Sequence, residues 1–431
     1  MRERLKSVVL CVLILTSMFL TTKLLFGQPY WETASPPAYK QVTFGELRPL
    51  QEQIRPVLRL GEDDKWLQLQ PWDEGYQAAW EWLSWLFRPR QVPVSTTLPE
   101  FGGLQVRLNF MLPVETNWWV TNRQLRGLEI LQAAWFAEAP QTIWYQTASG
   151  RWLRGELTLP EQWEEQLPAL FAAGLELRTA AAEELALEPV SAGVLLPQAV
   201  PELAVHAITA ENLESDELLG SFFVNPALVR RIEEGDGAEI YTDGQKGLRL
   251  FRHGEIEFNA PENEPGSAPQ SLAEILKQGA QYLQLMGGWP DHLYLQKVHR
   301  TERSANWEQR YTQTLVFQSV QKGIPLLSAK PAVSLYFSDR GVINYQRQIY
   351  LLGSPTGTAE PLVKPQQAVA AVADQLAAEG AEEQLAAVSP VLYFHSFVTR
   401  QSYARPAWLV ELQQRQAVVD GFTGEFITWL E

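Results

Sequence analysis

Cysteine is almost absent from this chain of 431 residues, whose only one is Cys11 in an apolar N-terminal run. The rest of the chain therefore forms no disulfide and no thiol site, and its stability must come from size and a hydrophobic content of 46%. The motifs G-x-S-x-G, G-x-x-x-x-G-K-[ST] and G-x-G-x-x-G are also missing. Their absence removes the usual signs of an α/β-hydrolase, a P-loop nucleotidase or a dinucleotide-binding enzyme.

Groups for acid–base or metal chemistry are scarce and scattered. None of the five histidines stands in H-E-x-x-H or another compact ligand spacing, so no metal site is expected. Glu164 and Glu165 are neighbours on an expected helix and point about 100° apart, which indicates a solvated face and not a glycosidase pair. Asp236 and Asp243 each precede a glycine without the EF-hand order of ligands, which indicates turns. We therefore expect a non-enzymatic protein without a cofactor.

Basic residues are also in the minority. The chain has 35 Lys and Arg against 50 Asp and Glu, a net charge of −15. No stretch groups basic residues with stacking aromatics, so a nucleic-acid partner is not expected. Tryptophan, by contrast, is abundant, with sixteen residues in the chain. We interpret them as filling cores and inter-domain contacts, with a sugar-binding surface as the alternative.

One long apolar run is present, and it is the most informative feature of the sequence. Residues 5–26 are enough for a helix to cross a bilayer core of about 30 Å. Arg2, Arg4 and Lys6 lie at the start of the run and only Lys23 lies near its far end, so the positive-inside rule places the N-terminus in the cytoplasm and about 400 residues outside the cell. A cleaved signal peptide is the competing interpretation, although no Ala-x-Ala-like site follows. The expected anchors at the membrane interfaces are Arg2, Arg4, Lys6, Lys23, Tyr30 and Trp31.

Small and polar residues share one arc of this expected transmembrane helix. With 3.6 residues per turn they lie within about 100° of one another. Such residues permit close packing and hydrogen bonds between helices in lipid, so the arc is a candidate contact for a partner helix. The alternative is that the hydroxyls bond only to their own helix. This transmembrane stripe consists of Ser7, Cys11, Ile14, Met18, Thr21 and Thr22.

The exterior part is expected to be an α+β structure of several domains, each an antiparallel sheet with helices on one face. The expected segments are a cytoplasmic stub with its anchor (1–28), an N-terminal domain (38–205), a central domain (206–315) and a C-terminal domain (316–431). In the N-terminal domain, the patterns predict helices at 73–87, 122–136 and 160–174, a strand at 104–112, and a hairpin of 143–145 with 152–157.

An order of hairpin, helix and strands occurs twice in the second half of the chain. The first copy has a hairpin at 248–258, a helix that begins at Ser271 with a capping box and stops at Gly287, and strands at 292–298 and 311–320. The second has a hairpin at 334–349, a helix from Pro365 to Gly380, and strands at 391–398, 408–412 and 417–419. This repeat of about 100 residues indicates duplicated α+β modules.

Several stretches resemble known families. Residues 1–31, LLGSFFVNPALVR at 218–230, IYTDG at 240–244 and GEIEF at 254–258 resemble the YycH (WalH) family across nearly the whole chain. Residues 408–412 and 419–425 are similar to the end of a PepSY-like module, with a strand that carries a Trp and a hairpin that ends in Asp and Thr-Gly. Gly421 and Gly424 suit positive φ there. The C-terminal domain is accordingly expected to be PepSY-like or YycI-like.

The YycH resemblance implies a function. Members are single-pass proteins that regulate the sensor histidine kinase WalK, together with a second single-pass protein, YycI. It implies a cell-membrane regulator of cell-wall homeostasis that acts through protein–protein contacts, in which a WalK-like kinase and a YycI-like protein are the partners. The alternatives are a protein that binds or processes cell-wall glycan, and a structural assembly scaffold.

Overall fold

The structure is a computed structural model of the chain. It describes residues 13–18, 21, 44–118, 122–190, 193–211, 213, 215–223, 225, 228–235, 237–261, 270–290, 292–305, 308–394 and 403–430. Residues 13–18 are helical. The α-helices after them are Leu50–Gln53, Tyr76–Leu83, Trp163–Leu170, Ser215–Phe222, Leu272–Leu285 and Pro365–Glu379. Single 3-10 turns occur at Ser84–Phe87, Thr116–Trp118, Arg123–Leu125 and Ala182–Glu184.

The first half of the chain forms an antiparallel sheet of nine strands. Their order across the sheet is β3-β7-β6-β5-β4-β1-β2-β8-β9. The strands are β1 (Val57–Glu62), β2 (Lys65–Leu69), β3 (Val94–Thr96), β4 (Leu104–Glu115), β5 (Glu129–Phe136), β6 (Thr142–Thr147), β7 (Trp152–Glu156), β8 (Leu175–Ala180) and β9 (Val194–Pro197). The predicted strand at 104–112, the predicted hairpin and the helices within 73–87 and 160–174 are therefore confirmed.

Aromatic side chains join the two helices of this region to one face of the sheet. Trp82 of Tyr76–Leu83 stacks on Trp163 of the second helix, with ring centroids 5.8 Å apart. Trp163 in turn makes an edge contact with Trp135 of β5 at 5.9 Å. Phe136, the next residue of β5, points to the other face and packs against Trp144. Central strands of this sheet are thus covered on both faces.

The predicted helix at 122–136 is wrong. The structure has only the 3-10 turn Arg123–Leu125, followed by Gly127 at φ +78° and strand β5. Because β5 is covered on both faces, apolar residues follow one another along it without the polar alternation of a half-exposed strand. A continuous apolar run is compatible with a buried helix as well, which explains the error.

The second half forms one large sheet that contains both copies of the repeat. The order is β12-β13-β14-β15-β20-β19-β17-β18-β23-β24-β11-β21, with β16 beside β17 and β25 and β26 beside β24. The strands are β11 (His206–Ala210), β12 (Arg230–Glu233), β13 (Glu239–Thr242), β14 (Gly247–Leu250), β15 (Ile256–Asn259), β16 (Leu293–Ala305), β17 (Glu308–Gln321), β18 (Ile324–Ser328), β19 (Val333–Ser338), β20 (Gly341–Arg347), β21 (Tyr350–Pro355), β23 (Leu385–Phe394), β24 (Tyr403–Leu412), β25 (Gln416–Asp420) and β26 (Phe426–Leu430). β10 (Glu202–Leu203) and β22 (Glu360–Pro361) form a separate pair.

This sheet differs from the expectation of one sheet per module. Strand β15 of the first copy pairs with β20 of the second, so the two hairpins are neighbours in one sheet. β18 and β23 are paired in parallel, whereas the other strand pairs of the described residues are antiparallel. The expected boundary at residues 315 and 316 lies inside β17. The α+β class with mainly antiparallel strands is confirmed.

The two repeat helices were predicted closely. Ser271 caps the helix Leu272–Leu285 reciprocally with Glu274, and Gly287 follows its end at φ +101°. The second helix, Pro365–Glu379, ends at Gly380 with φ +66° and packs against β24, β25 and β26. Each helix therefore covers one face of its part of the sheet, as amphipathic helices of α+β modules do.

The C-terminal turn retains the features that suggested a PepSY-like module. Trp408 on β24 is fully buried, and its indole donates to the carbonyl of Val363 at 3.0 Å. Asp420 ends β25 and accepts from the backbone amides of Phe422 and Thr423, both at 2.9 Å. Gly424 has φ +75°, as expected. The expectation for Gly421 is wrong, because glycine is needed there for close approach: a Cβ would lie 2.8 Å from the carbonyl of Pro406.

Candidate functional site

The structure describes three of the six residues of the transmembrane stripe. Ile14, Met18 and Thr21 lie in or next to the helical segment 13–18, and the Thr21 hydroxyl donates to the carbonyl of Ser17 at 2.8 Å. That bond is the one expected if a hydroxyl satisfies its own helix. Among the described helices, none is both long and apolar enough to span a membrane. Ser7, Cys11, Thr22 and the six expected interface anchors lie outside the described residues.

The chain after residue 43 attaches to the central region before it enters the N-terminal sheet. We call residues 44–53 the strap. The amide of Phe44 donates to the carbonyl of Gln284 at 2.7 Å, and the Gln284 side-chain amide donates to the carbonyl of Gly45 at 3.3 Å. The short helix Leu50–Gln53 packs against Leu272–Leu285. The strap therefore attaches the chain, from residue 44 on, to the last turn of a repeat helix.

Two consecutive glycines make this attachment possible. A Cβ at Gly288, which has φ +83°, would lie 2.9 Å from the Cβ of Phe44 and 3.0 Å from its carbonyl oxygen. The Gly288 amide donates to the carbonyl of Leu283 at 2.8 Å, which closes the helix end. The strap thus packs directly against the backbone of Gly288, where only glycine leaves enough room.

A buried arginine holds the glycine loop from the sheet side. Arg347 of β20 is 2% exposed, donates to the carbonyl of Gly288 at 2.7 Å, and pairs with Glu211 at 2.6 Å. Tyr345, two residues earlier, donates to the carbonyl of Met286 at 2.8 Å. Burial alone would lower the pKa of Arg347, but the charges of Tyr345 and Glu211 outweigh this effect, so the pKa is raised above its ordinary value. One cation therefore connects the sheet, the helix end and the segment after β11.

A small cavity lies where the N-terminal sheet meets β16, a place we call the junction. Its volume is about 50 Å³, and its apolar wall includes Trp72, Met111 and Tyr294. The rings of Trp72 and Tyr294 are 4.4 Å apart between centroids. Gln53 of the strap and Arg55 also line the cavity, and Gln53 Oε1 and Arg55 Nε are buried without a hydrogen-bond partner. Such a space can hold a water that donates to one atom and accepts from the other.

Two arginines lie on the face of the nine-stranded sheet that also carries Phe136. Arg59 of β1 is opposite Arg107 of β4, and burial lowers the pKa of both. Burial also raises the pKa of Glu411 on β24, against a hydrogen bond with Gln416 and the charge of Arg59. The N-terminal and C-terminal sheets therefore share an electrostatic contact, and a shift between them would change the solvation of these charges.

Asp73, next to the cavity wall, makes the stability of this region depend on pH. Burial raises its pKa to about 6, although the Gln70 amide donates to it at 2.6 Å. Because an unfolded Asp has a pKa of about 3.9, the folded protein binds more protons between about pH 4 and 6, and stability must fall as the pH rises through this window. We expect Asp73→Asn to remove that part of the slope, measured as urea midpoints at pH 4.5 and 7.

The exposed neighbour Glu74 supplies the control for this prediction. Glu74→Gln changes a carboxyl of similar position that is open to solvent. It should leave the difference between the two urea midpoints as in the unchanged protein. An Asp73→Asn protein with the unchanged difference would contradict the assignment.

The residues considered for chemistry remain apart. Within the part of the chain that the structure describes, no group of three His, Cys, Asp or Glu side chains is placed to hold a metal ion. Glu164 and Glu165 lie exposed in the first turn of Trp163–Leu170. Asp243 accepts from the amides of Gln245 and Lys246, which is the expected turn chemistry, whereas Asp236 and His395 lie outside the described residues.

The tryptophans agree with the interpretation that they fill cores. Thirteen of the sixteen lie in described segments, since Trp31, Trp119 and Trp307 do not, and none of those thirteen is exposed. A row of exposed tryptophans, which would favour a glycan-binding groove, is therefore not found among them.

The strap contacts were missed in the sequence. Two signals were present. A helix end requires only one glycine, yet the sequence has two, Gly287 and Gly288. Arg347 also lies on the same, inward face of its alternating strand as Tyr345. A charge at an inward position indicates a buried partner.

Comparisons with known proteins find one matching family model and several similar solved structures. The model of the family "YycH protein, C-terminal domain" matches residues 191–423. The crystal structure of YycH from Bacillus subtilis has a TM-score of 0.60 at 14% identity, covering 88% of this chain and 99% of that chain.

Two further solved structures are less similar. An uncharacterized protein from Eubacterium rectale ATCC 33656 has a TM-score of 0.39 at 11% identity, covering 58% of this chain and 93% of its own. The C-terminal domain of Bacillus megaterium YpeB has a TM-score of 0.29 at 10% identity, covering 51% and 97%. No curated protein matches the chain.

The family match extends from the last strand of the N-terminal sheet, through both copies of the repeat, to the turn after β25. It includes the large sheet, both repeat helices and the glycine loop that receives the strap. It thus covers more than half of the residues, and the similarity of fold to the Bacillus subtilis protein covers most of the remainder. The chain therefore belongs to the YycH family.

Proposed function

We propose that this chain is a non-enzymatic, membrane-anchored regulator of a two-component sensor histidine kinase that controls cell-wall homeostasis. The observation that carries the proposal is the family match over residues 191–423. Membership of the YycH family supports a regulatory role within a WalK-type system. The N-terminal apolar run supports the anchor, with the N-terminus in the cytoplasm and the folded part outside the cell.

The geometry of the strap supports transmission between the exterior part and the anchor. Residues 44–53 follow the expected membrane segment and contact the helix Leu272–Leu285. The glycine loop at the end of this helix, against which the strap lies, is held by Arg347 and its partner Glu211. A change in the large sheet can therefore reach residue 44 through packed and hydrogen-bonded groups, and the chain continues from there, through residues outside the described ranges, to the expected membrane segment.

The proposed partners are a WalK-like kinase and a second single-pass regulator of YycI type. The transmembrane stripe is the proposed contact in the membrane, because small and polar residues on one arc allow close helix packing. Binding of wall glycan, the second candidate, loses support because the described tryptophans are not exposed. The third candidate is a scaffold without a signalling role. The partners recovered in the experiment below distinguish it from the proposal.

The test is recovery of partners in mild detergent from cells that express the full chain or a version that lacks residues 1–31. We expect a sensor histidine kinase and a second single-pass protein with the full chain, and the loss of both without residues 1–31. Recovery of wall polymer or its enzymes in place of a kinase would contradict the proposal.

Substitutions in the stripe localise the contact. Ser7→Leu, Cys11→Leu, Thr21→Leu and Thr22→Leu together should reduce partner recovery to the level of the truncated chain. The control carries Val9→Leu, Val12→Leu and Thr16→Leu, which fall on the opposite arc of the expected helix and leave the stripe unchanged. Equal recovery from both variants would show that the stripe is not the contact.

A further inference from the structure

Strand β12 is the last strand of the large sheet, and its outer edge pairs with no other strand among the described residues. It pairs with β13 on one side, and it is the terminal strand of the order. All four of its residues are exposed, including Ile232 at 51%. An edge strand presents a row of backbone donors and acceptors that can pair with another strand.

The hydrogen bonds of the β12–β13 hairpin show which backbone groups face outward. Glu234 donates its amide to the carbonyl of Ala238 and accepts from the amide of Gly237, so its groups point toward the hairpin. Orientation alternates along an antiparallel strand. Ile232 therefore bonds inward as well, and Arg231 and Glu233 direct their amides and carbonyls to the free edge.

The residue order at this edge is complementary to itself. Residues 230–234 read Arg-Arg-Ile-Glu-Glu. When two copies pair antiparallel about a two-fold axis at Ile232, Arg231 lies opposite Glu233 of the second copy, and Arg230 lies opposite its Glu234. Directly opposite residues share a face in such a pair, so all four contacts join opposite charges. The outward groups of Arg231 and Glu233 supply four backbone hydrogen bonds in the same register.

Charges on an edge strand commonly prevent association with another strand. Their order along the strand shows whether they prevent pairing with a second copy or favour it. A block of one sign would repel a second copy, whereas two cations followed by two anions attract an inverted copy. Three of the four charged residues already have ion-pair partners: Arg231 bonds to Glu239, Arg252 is 3.8 Å from Glu233, and Arg249 is 2.5 Å from Glu234. All of these side chains are at least partly open to solvent. Exposed pairs of this kind are weak and can share a second partner.

We propose that two copies of this chain form a homodimer through β12, with both large sheets continuous across the two-fold axis. The contact is short, so association in dilute solution should be weak. Its strength in the cell rests on the proposed membrane anchor, because anchoring confines both copies to one layer and raises their effective concentration.

A cysteine at the axis tests the register. In a Cys11→Ser background, Ile232→Cys places two thiols in a non-hydrogen-bonded pair, where the Cα atoms are about 4.5 Å apart and a disulfide can form. We expect rapid oxidative cross-linking of full-length protein in membrane vesicles. Tyr336→Cys in the same background, partly exposed on central strand β19, should remain monomeric. Equal cross-linking of both variants, or none at position 232, would overturn the proposal.

Charge reversal tests the complementarity independently of the new thiol. In the Ile232→Cys background, either Arg231→Glu or Glu233→Arg alone replaces two attractions by two repulsions, and cross-linking should fall about tenfold or more. Co-expression of the two reversed chains, with different tags, should restore a mixed cross-linked dimer. Absence of that rescue would overturn the pairing. Fractionation of the same membranes reports on the anchor separately, so failure of the proposed function and failure of the dimer are distinguishable.

Discussion

Replacement of Glu211 by alanine should lower the free energy of unfolding by about 3–5 kcal/mol, because it leaves a buried guanidinium without its anion. Arg347 is 2% exposed, so the folded protein gives its charge little contact with water. Its remaining bond to the carbonyl of Gly288 does not neutralise the charge. The measurement is the urea midpoint of the full chain, read by tryptophan fluorescence.

The pair should respond asymmetrically to removal of each partner. Arg347→Met keeps most of the side-chain volume and leaves Glu211, whose side chain is 29% exposed and can be solvated. We therefore expect Arg347→Met to cost less than Glu211→Ala, although it removes more hydrogen bonds. The exposed pair of Arg178 and Glu184 at 2.6 Å is the matched control, and Glu184→Ala should change the midpoint only slightly. Equal effects of Glu211→Ala and Glu184→Ala would contradict the role given to burial.

The repeat was predictable because its signals are local. A capping box at Ser271, proline at the start of the second helix and glycine at both helix ends determine the element type within a few residues. Hairpins at 248–258 and 334–349 were indicated in the same way. These features depend on neighbours in sequence, and a single sequence contains them completely.

What the sequence could not reveal depends on contacts between distant segments. The pairing of β15 with β20 joins Ile256 to Arg347 and Asn259 to Asn344, which are 91 and 85 positions apart, and no local pattern specifies it. The strap is a similar case, since Phe44 contacts Gln284 and Gly288, which are about 240 positions away in the sequence. The helix error at 122–136 has the same origin: burial on both faces of β5 is a property of the assembled sheet.

Gly288→Ala should release the strap from the glycine loop. The new Cβ would meet Phe44 at 2.9 Å, and φ of +83° is itself costly for alanine by about 1–2 kcal/mol. Gly150→Ala is the control, because Gly150 has φ +78° and nothing within 4 Å of a Cβ. Hydrogen exchange at residues 44–53 should rise sharply in the first variant and stay unchanged in the second.

The same variant decides whether the strap transmits a signal or only stabilises the fold. If the strap couples the large sheet to the membrane segment, its release must alter kinase output while the stripe still recovers the partners, because residues 1–31 are unchanged. If it is merely structural, exchange rises and kinase output equals that of Gly150→Ala. Coupling requires that both ends bias the same element, and the strap contacts the repeat helix at one end and leads to the membrane segment at the other. Unchanged output with lost protection would therefore remove the strap from the mechanism and leave the stripe as the route between the exterior part and the kinase.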